Sequence, residues 1–271
     1  MPTIDVNDTT LYYERTGQGP AMLFVHGMCG DAEVWTDQAR RFSDRYACVR
    51  YDRRGHTRSA RGDAAISDAL HADDAAGLIE ALHLAPCLLV GSSGGAAIGV
   101  DVALRYGHLL RGAVFSEPPL FSLAPEAGQA VTSELIPRVE QAMASDGPTA
   151  GVDAFFSIVC PGLWSIIDDT RKDRYRANAE IGFSDLQSQS LDVTAEDLAA
   201  VSVPTLVITG STSHPSFRSI ARQLAAAFPD ARFVELEGSG HVTYAERPDE
   251  FANAVSVFAA ELDQRAALTS N

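Results

Sequence analysis

The chain of 271 residues carries a formal net charge of −15, with 46% hydrophobic and 21% charged residues. This composition is typical of a folded globular protein and excludes extensive disorder. The acidic balance argues against nucleic acid as a partner, because binding to a phosphate backbone requires clustered Lys and Arg. The length suits one large α/β domain with an insertion.

The N-terminal residues 1–7 have neither the basic nor the apolar segment of a secretory signal, and no apolar run is long enough to span a bilayer. We therefore expect a cytoplasmic protein without a membrane partner; the sequence leaves the oligomeric state open. The four cysteines form no CxxC pair and are expected to be free buried thiols rather than disulfides or metal ligands. They are Cys29, Cys48, Cys87 and Cys160.

The predicted elements begin with a hairpin around the turn at Asn7-Asp8 and then alternate between strand and helix. Residues 21–25 are continuously apolar, as in a strand that is covered on both faces. Strands are predicted at residues 3–8, 11–15, 21–25, 46–51, 87–90, 110–115, 204–210 and 231–236. Helices are predicted at residues 32–42, 66–83, 96–106, 217–228 and 248–262, with a frayed tail after Gln264.

Alternating strands and helices imply a mostly parallel twisted sheet with helices on both faces and a ligand crevice at the carboxyl ends of the strands. The alternation lapses between residues 120 and 201, where the pattern is helical and interrupted by prolines. We expect a helical cap subdomain at 120–201, inserted between two parts of a core domain at 1–119 and 202–271.

Residues 86–97 read P-C-L-L-V-G-S-S-G-G-A-A, which combines a short apolar strand, a sharp turn and a helix start. Gly91-Ser92-Ser93-Gly94-Gly95 fits the G-x-S-x-G pattern of a nucleophile elbow, in which the central residue is at the apex of a strained turn. Ser93 is therefore the candidate nucleophile, and Ser92 is the residue before it.

A serine hydroxyl is a weak nucleophile unless a neighbouring base takes its proton. His241 is the candidate base, because it lies in a glycine-rich loop directly after the last predicted strand. An oxyanion would be held by two backbone N–H groups, one from the residue after the nucleophile and one from the loop after the third strand. These positions are Gly94 and Met28.

The other histidines receive different interpretations. His71, His83 and His108 are on or beside predicted helices and are expected at the surface. His26 is expected to shape its loop, and His56 to form a hydrogen-bonded scaffold within the polar loop 52–59.

Taken together, these motifs resemble the α/β-hydrolase superfamily, and the resemblance covers nearly the whole chain outside the predicted cap. It implies the α/β-hydrolase fold and no metal or other cofactor. The motifs are His26-Gly27, the loop 52–59, the elbow at 91–95 and Gly240-His241.

In most members of the superfamily the third catalytic residue is an Asp three positions after the glycine that ends the penultimate strand. Here that position is Ser213, and a serine cannot supply the anion that stabilises an imidazolium. The resemblance to a subgroup that includes zearalenone-type lactonases implies that Glu117 takes this role, from the end of the strand after the elbow helix. The chain order Ser, Glu, His is retained.

A serine nucleophile excludes the superfamily members that use a carboxylate. Abundant apolar residues in the predicted cap, without an obvious cationic clamp, favour a hydrophobic small-molecule ester or lactone cleaved through an acyl-enzyme. Trp164, beside Pro161-Gly162, is the candidate substrate contact. Two alternatives stay open: a cofactor-free hydrolase or lyase acting on carbon–carbon bonds, and a ligand receptor that has lost turnover.

Overall fold

The computed structural model of the protein describes residues 2–188 and 191–269. Within these residues, eight strands form one sheet. They are β1 (Thr3–Val6), β2 (Thr9–Thr16), β3 (Ala21–Val25), β4 (Ala47–Tyr51), β5 (Cys87–Ser92), β6 (Leu110–Ser116), β7 (Thr205–Gly210) and β8 (Ala231–Leu236).

The strand order is β1-β2-β4-β3-β5-β6-β7-β8. β1 pairs antiparallel with β2, and β2 pairs antiparallel with β4, whereas every pairing from β4 to β8 is parallel. β3 and β5 lie at the centre, next to β6. The carboxyl ends of these three strands therefore meet at one edge of the sheet, as the sequence predicted.

The helices of the core cover both faces of the sheet, which confirms the predicted fold class. Their bounds are α1 (Thr36–Phe42), α2 (Asp68–Ala81), α3 (Gly94–Arg105), α10 (Pro215–Ala227), α11 (Thr243–Glu246) and α12 (Pro248–Thr269). Alternate residues of β3 face opposite sides: Leu23 packs with α2 and α3, whereas Phe24 packs with α1 and α12. This two-sided burial explains why the strand is continuously apolar.

Among the described residues, six α-helices lie between β6 and β7, and we call them the inserted helices. They are α4 (Pro125–Asp146), α5 (Pro148–Val159), α6 (Pro161–Ile166), α7 (Asp169–Ala177), α8 (Ala179–Gln187) and α9 (Ala195–Ala199). Phe155, Phe156 and Phe183 of these helices form an apolar cluster with Phe217 and Val242 of the core. The inserted helices thus pack against the loops that follow the strands.

Several local predictions differ from the structure. The helix predicted at 32–42 begins as a 3₁₀ turn at Ala32–Trp35, where Asp31 caps it by accepting from the Glu33 N–H. α12 continues to Thr269, so the frayed tail predicted after Gln264 is wrong as far as the described residues reach. None of the described helices is both long and apolar enough to cross a bilayer. The four cysteines are free and buried, as predicted.

Candidate active site

Ser93 lies at the turn between β5 and α3, with φ 54° and ψ −126°. A Cβ on Gly91 would lie 2.4 Å from the carbonyl oxygen of Gly95, and one on Gly95 would lie 2.2 Å from that of Val25. Both approaches are too short for any side chain. The two glycines therefore let strand and helix approach closely enough to hold Ser93 in the strained conformation that a nucleophile elbow requires.

The backbone of Ser93 is tied to the neighbouring strand, since its N–H donates to the carbonyl of Ser116 over 2.8 Å. Ser116 is the last residue of β6, and Glu117 follows it with φ 55°. Because β5 and β6 are adjacent parallel strands, the two residues that leave their carboxyl ends are held side by side.

The Glu117 side chain is fully buried and accepts hydrogen bonds at both carboxylate oxygens. Oε1 accepts from the Gly210 N–H over 2.9 Å and from the Thr209 hydroxyl. Oε2 accepts from the Ser213 hydroxyl over 2.5 Å and lies 3.0 Å from Nδ1 of His241. These donors offset the cost of burying a carboxylate.

His241 follows β8 and is 4% exposed. The N–H groups on either side of it, those of Gly240 and Val242, donate to the two carboxylate oxygens of Glu246 over 2.8 and 3.1 Å. Its ring also packs against Phe217, with centroids 4.4 Å apart. The histidine is thus positioned through its backbone, its ring face and Nδ1, which leaves Nε2 for chemistry.

A small cavity of about 30 Å³ is lined by both Ser93 and His241, and we call it the His241 cavity. The structure therefore brings the predicted nucleophile, base and acid together. Acid and base are in direct contact, and the base shares this cavity with the nucleophile.

The two predicted oxyanion donors also lie close together. An ideal Cβ on Gly94 would lie 3.9 Å from the backbone nitrogen of Met28. Among the described residues, neither N–H has a hydrogen-bond partner. A Cβ on Gly27 would lie 3.0 Å from Cβ of Ser93, so glycine before Met28 keeps this space open. Two free N–H groups beside a serine are suited to holding a carbonyl oxygen that becomes negative.

A second cavity, of about 110 Å³, also opens at Ser93, Met28 and Gly94. Its polar wall contains Arg53, Asp68 and Asp185, and we call it the Arg53 cavity. Most of its remaining wall is apolar. The apolar side chains are Phe121, Leu135, Ile136, Phe155, Val159, Leu186 and Phe217, together with Ala97 and Pro119.

Trp164 lines neither of these two cavities. It is 7% exposed and stacks on Phe156 with ring centroids 4.7 Å apart, and its edge meets Tyr175 at 5.8 Å. Phe156 and Tyr175 line the His241 cavity, so Trp164 lies one side chain behind the wall. Its role as a substrate contact stays a prediction.

The sequence missed a buried polar cluster centred on Arg53. Its Nη2 donates to Asp185 over 2.7 Å, to the Gly27 carbonyl over 3.2 Å and to His56 over 3.3 Å. Asp185 also contacts Nε2 of His71 at 3.0 Å. His71 is only 2% exposed, so its predicted surface position is wrong: Asp185 of the inserted helices covers it.

Burial sets the protonation of this cluster. Desolvation and the Arg53 charge lower the pKa of His56 to about 3, and the same causes lower the pKa of His26 and His71. Although burial opposes it, the Arg53 charge holds the pKa of Asp185 far below its usual range. The cluster therefore contains one compensated ion pair and three neutral imidazoles.

Among residues 2–188 and 191–269, no group of three or more His, Cys, Asp or Glu side chains could hold a metal ion. The site can nevertheless supply a nucleophile, a base with an orienting carboxylate, and two N–H donors for an oxyanion. This combination is the chemical equipment for acyl transfer.

Comparison with known proteins identifies the family of this chain. Residues 22–254 match the family model described as "Alpha/beta hydrolase family". The chain is 26% identical to a 2-(acetamidomethylene)succinate hydrolase of Mesorhizobium japonicum, over 94% of this chain and 93% of that protein.

Two solved structures share the fold. A thermophilic esterase from Thermogutta terrifontis superposes with a TM-score of 0.80 and 21% identity, over 97% of this chain and 99% of that one. The enol-lactonase from Burkholderia xenovorans LB400 superposes with a TM-score of 0.72 and 24% identity, over 96% of this chain and 100% of that one. The chain therefore belongs to the alpha/beta hydrolase family and is a hydrolase.

Proposed function

We propose that this hydrolase cleaves a carboxylic ester or lactone of a hydrophobic small molecule through an acyl-enzyme. The observation that carries the proposal is the contact of 3.0 Å between Glu117 and Nδ1 of His241, beside a cavity that His241 shares with the strained Ser93. A buried carboxylate in this position fixes the imidazole tautomer and stabilises the imidazolium that forms during the reaction.

In the acylation step, the Oγ of Ser93 attacks the carbonyl carbon while Nε2 of His241 takes the hydroxyl proton. The carbonyl oxygen becomes an anion that the N–H groups of Met28 and Gly94 stabilise. One such donor contributes about 3 to 4 kcal/mol to transition-state stabilisation. When the tetrahedral intermediate collapses, the carbon–oxygen bond to the alcohol breaks and His241 returns its proton to the leaving oxygen.

In the deacylation step, a water molecule takes the place of the alcohol. His241 removes one proton from the water, the hydroxide attacks the acyl carbon, and the bond to Ser93 breaks as its oxygen recovers the proton. The products are a carboxylic acid and an alcohol, or one hydroxy acid when the substrate is a lactone. Glu117 orients the imidazole and takes no proton from it.

The substrate class rests on the walls of the cavities. The Arg53 cavity presents mostly apolar and aromatic side chains around Ser93, which suits a hydrophobic acyl group. The names of an esterase and an enol-lactonase among proteins of the same fold support ester and lactone chemistry.

We also propose that the inserted helices act as the cap of this site. Phe155 and Val159 from α5 and Leu135 from α4 line the Arg53 cavity above the strand ends. A cap that covers the site excludes water from the acyl-enzyme while the alcohol leaves.

Labelling with a fluorophosphonate tests the proposal. We expect one phosphonyl group per chain, attached to Ser93, and no labelling of a Ser93→Ala variant. The same variant should lower kcat for aryl esters and lactones by a factor on the order of 10⁶.

The outcome also separates the alternatives. Labelling at Ser93 without turnover of any ester or lactone would favour carbon–carbon bond cleavage at the same site. Absence of both labelling and turnover would favour a receptor and would contradict the proposed function.

A further inference from the structure

The two cavities at Ser93 differ in which catalytic group they contain. Met28 lines both cavities, but His241 lines only the His241 cavity and Gly94 only the Arg53 cavity. A leaving alcohol must receive its proton from His241 and therefore occupies the His241 side. The acyl group of the substrate then extends into the Arg53 cavity.

Arg53 lines this cavity and has one nitrogen atom, Nη1, without a hydrogen-bond partner among the described residues. Its Nη2 is occupied by Asp185, Gly27 and His56, and its Nε faces His26 at 3.5 Å. Among the described residues, Nη1 has no hydrogen-bond partner, although the side chain is only 3% exposed. Nη1 is not one of the buried side-chain atoms without a partner, so it is accessible, and an accessible N–H of a guanidinium that lines a cavity is suited to donate to a ligand.

Asp68 supplies an acceptor on the same wall. Its Oδ2 accepts from the Leu191 N–H over 3.0 Å, and Oδ1 has no partner among the residues that the structure describes. Asp68 is the first residue of α2, so the helix holds its backbone in a fixed position. Burial raises the pKa of its carboxyl group.

The charges on this wall exclude an anionic acyl group. Asp185 already compensates the Arg53 charge at 2.7 Å, and Asp68 adds a further carboxyl group. A carboxylate on the substrate would find no cation that is not already paired, and it would lie beside the carboxyl group of Asp68. An uncharged oxygen, in contrast, can accept from Nη1 without disturbing the ion pair.

We propose that Arg53 and Asp68 select acyl groups that are otherwise apolar and carry one uncharged polar group, a hydroxyl, ketone or amide, within reach of this wall. The oxygen of that group accepts from Nη1 of Arg53, and a hydroxyl or primary amide also donates to Asp68. This assignment rests on the proposed function and narrows its substrate class.

Three series of p-nitrophenyl esters test the assignment, with acyl chains of graded length that end in a methyl, a hydroxyl or a carboxylate group. At the best chain length, we expect kcat/KM for the hydroxyl ester to exceed that for the methyl ester by about tenfold, since one hydrogen bond to a charged donor is gained. The carboxylate ester should be the poorest of the three.

Two variants test whether the preference among these esters arises from Arg53 and Asp68. Arg53→Met should reduce the hydroxyl-to-methyl ratio to about one. Asp68→Asn keeps the shape of the side chain and removes its charge, so it should raise the carboxylate-to-methyl ratio several-fold. Arg138→Met is the matched control, because Arg138 is 61% exposed on α4 and should leave both ratios unchanged.

The ratio between matched esters is insensitive to a partial loss of folded enzyme, and Asp68→Asn remains informative if Arg53→Met does not fold. A wild-type enzyme that cleaves hydroxyl and methyl esters equally well, or prefers the carboxylate ester, overturns the assignment while the proposed function stands. An enzyme that cleaves none of these esters and no lactone, and that fluorophosphonate does not label, overturns the proposed function itself.

Discussion

The hydroxyl of Ser213 donates to Oε2 of Glu117 over 2.5 Å, and the same oxygen contacts His241. Ser213 stands where most α/β-hydrolases have their catalytic Asp. The serine at that position thus supports a carboxylate that reaches the histidine from the neighbouring strand. The usual position of the acid, Ser213 here, and the proposed acid, Glu117, are in direct contact.

The contact between Ser213 and Glu117 predicts that a carboxylate at position 213 can take over the role of Glu117. Glu117→Gln should lower kcat by roughly 10³ to 10⁴-fold, because the imidazole loses its orienting anion. Ser213→Asp alone should also lower kcat, since two carboxylates would then compete at one site. The double variant Glu117→Gln/Ser213→Asp should recover at least about tenfold over Glu117→Gln in an ester hydrolysis assay.

Circular dichroism shows whether each of these variants is folded. If the double variant is no more active than Glu117→Gln, the aspartate at 213 does not reach His241, and the interpretation of Ser213 as the alternative acid position is wrong.

Glu246 is predicted to position the base through the backbone. Glu246→Ala removes the acceptor for the N–H groups that flank His241, and a small displacement of the imidazole lowers kcat by up to about 10²-fold. KM should change little, because Glu246 lines neither cavity at Ser93. Glu246→Gln keeps one acceptor oxygen and should be intermediate in kcat; an unchanged kcat in Glu246→Ala would contradict the positioning role.

The close packing at the elbow predicts a contrast between two glycines. Gly95→Ala places a methyl group 2.2 Å from the carbonyl oxygen of Val25 and should reduce the free energy of unfolding by about 3 kcal/mol or more. Gly162→Ala, in the helix α6, meets no atom within 4 Å and should be neutral or stabilising by up to about 1 kcal/mol. Urea unfolding of the two variants measures both changes in the free energy of unfolding. Equal destabilisation of the two variants would be inconsistent with this packing.

The three neutral histidines beside Arg53 predict a loss of stability in mild acid. Their pKa values are lowered in the folded state, to about 3 for His56, while the unfolded chain titrates near 6.5. As the pH falls below 6.5, the unfolded state binds protons that the folded state does not. Each histidine then removes up to about 1.4 kcal/mol of unfolding free energy per pH unit, as long as the pH stays above its folded-state pKa.

Urea unfolding at pH 7, 6 and 5 measures this slope. His71→Gln can still donate to Asp185 and should reduce the slope by the contribution of one histidine, whereas His83→Gln, at an exposed position, should not change it. A wild-type unfolding free energy that stays constant from pH 7 to 5 would show that these imidazoles are not neutral and buried.

The positions of the candidate catalytic residues could be predicted because these residues follow strands. Ser93, Glu117 and His241 each come directly after, or in the loop after, a recognisable strand, and parallel strands bring their carboxyl ends together. Because Ser213 is not an acid, the resemblance pointed to Glu117 as the carboxylate instead.

The Arg53 cluster could not be predicted in the same way. Asp185 is on α8, more than a hundred residues from His71, and no local pattern shows which core residues the inserted helices cover. The apolar excess of the inserted helices was visible in the sequence. Which aromatic side chains face the cavity and which, like Trp164, pack behind it depends on how these helices are oriented.

The hydrogen bond from the Ser93 N–H to the Ser116 carbonyl ties the proposed nucleophile to the strand that leads into the proposed acid, Glu117. An acid carried by the loop after β7 would depend on the conformation of that loop, whereas here the loop contributes only the neutral hydroxyl of Ser213 to Glu117. Alignment of the three side chains then depends on the turn that carries His241, whose flanking N–H groups donate to Glu246. A substitution that displaces this turn should therefore lower activity while leaving the sheet intact.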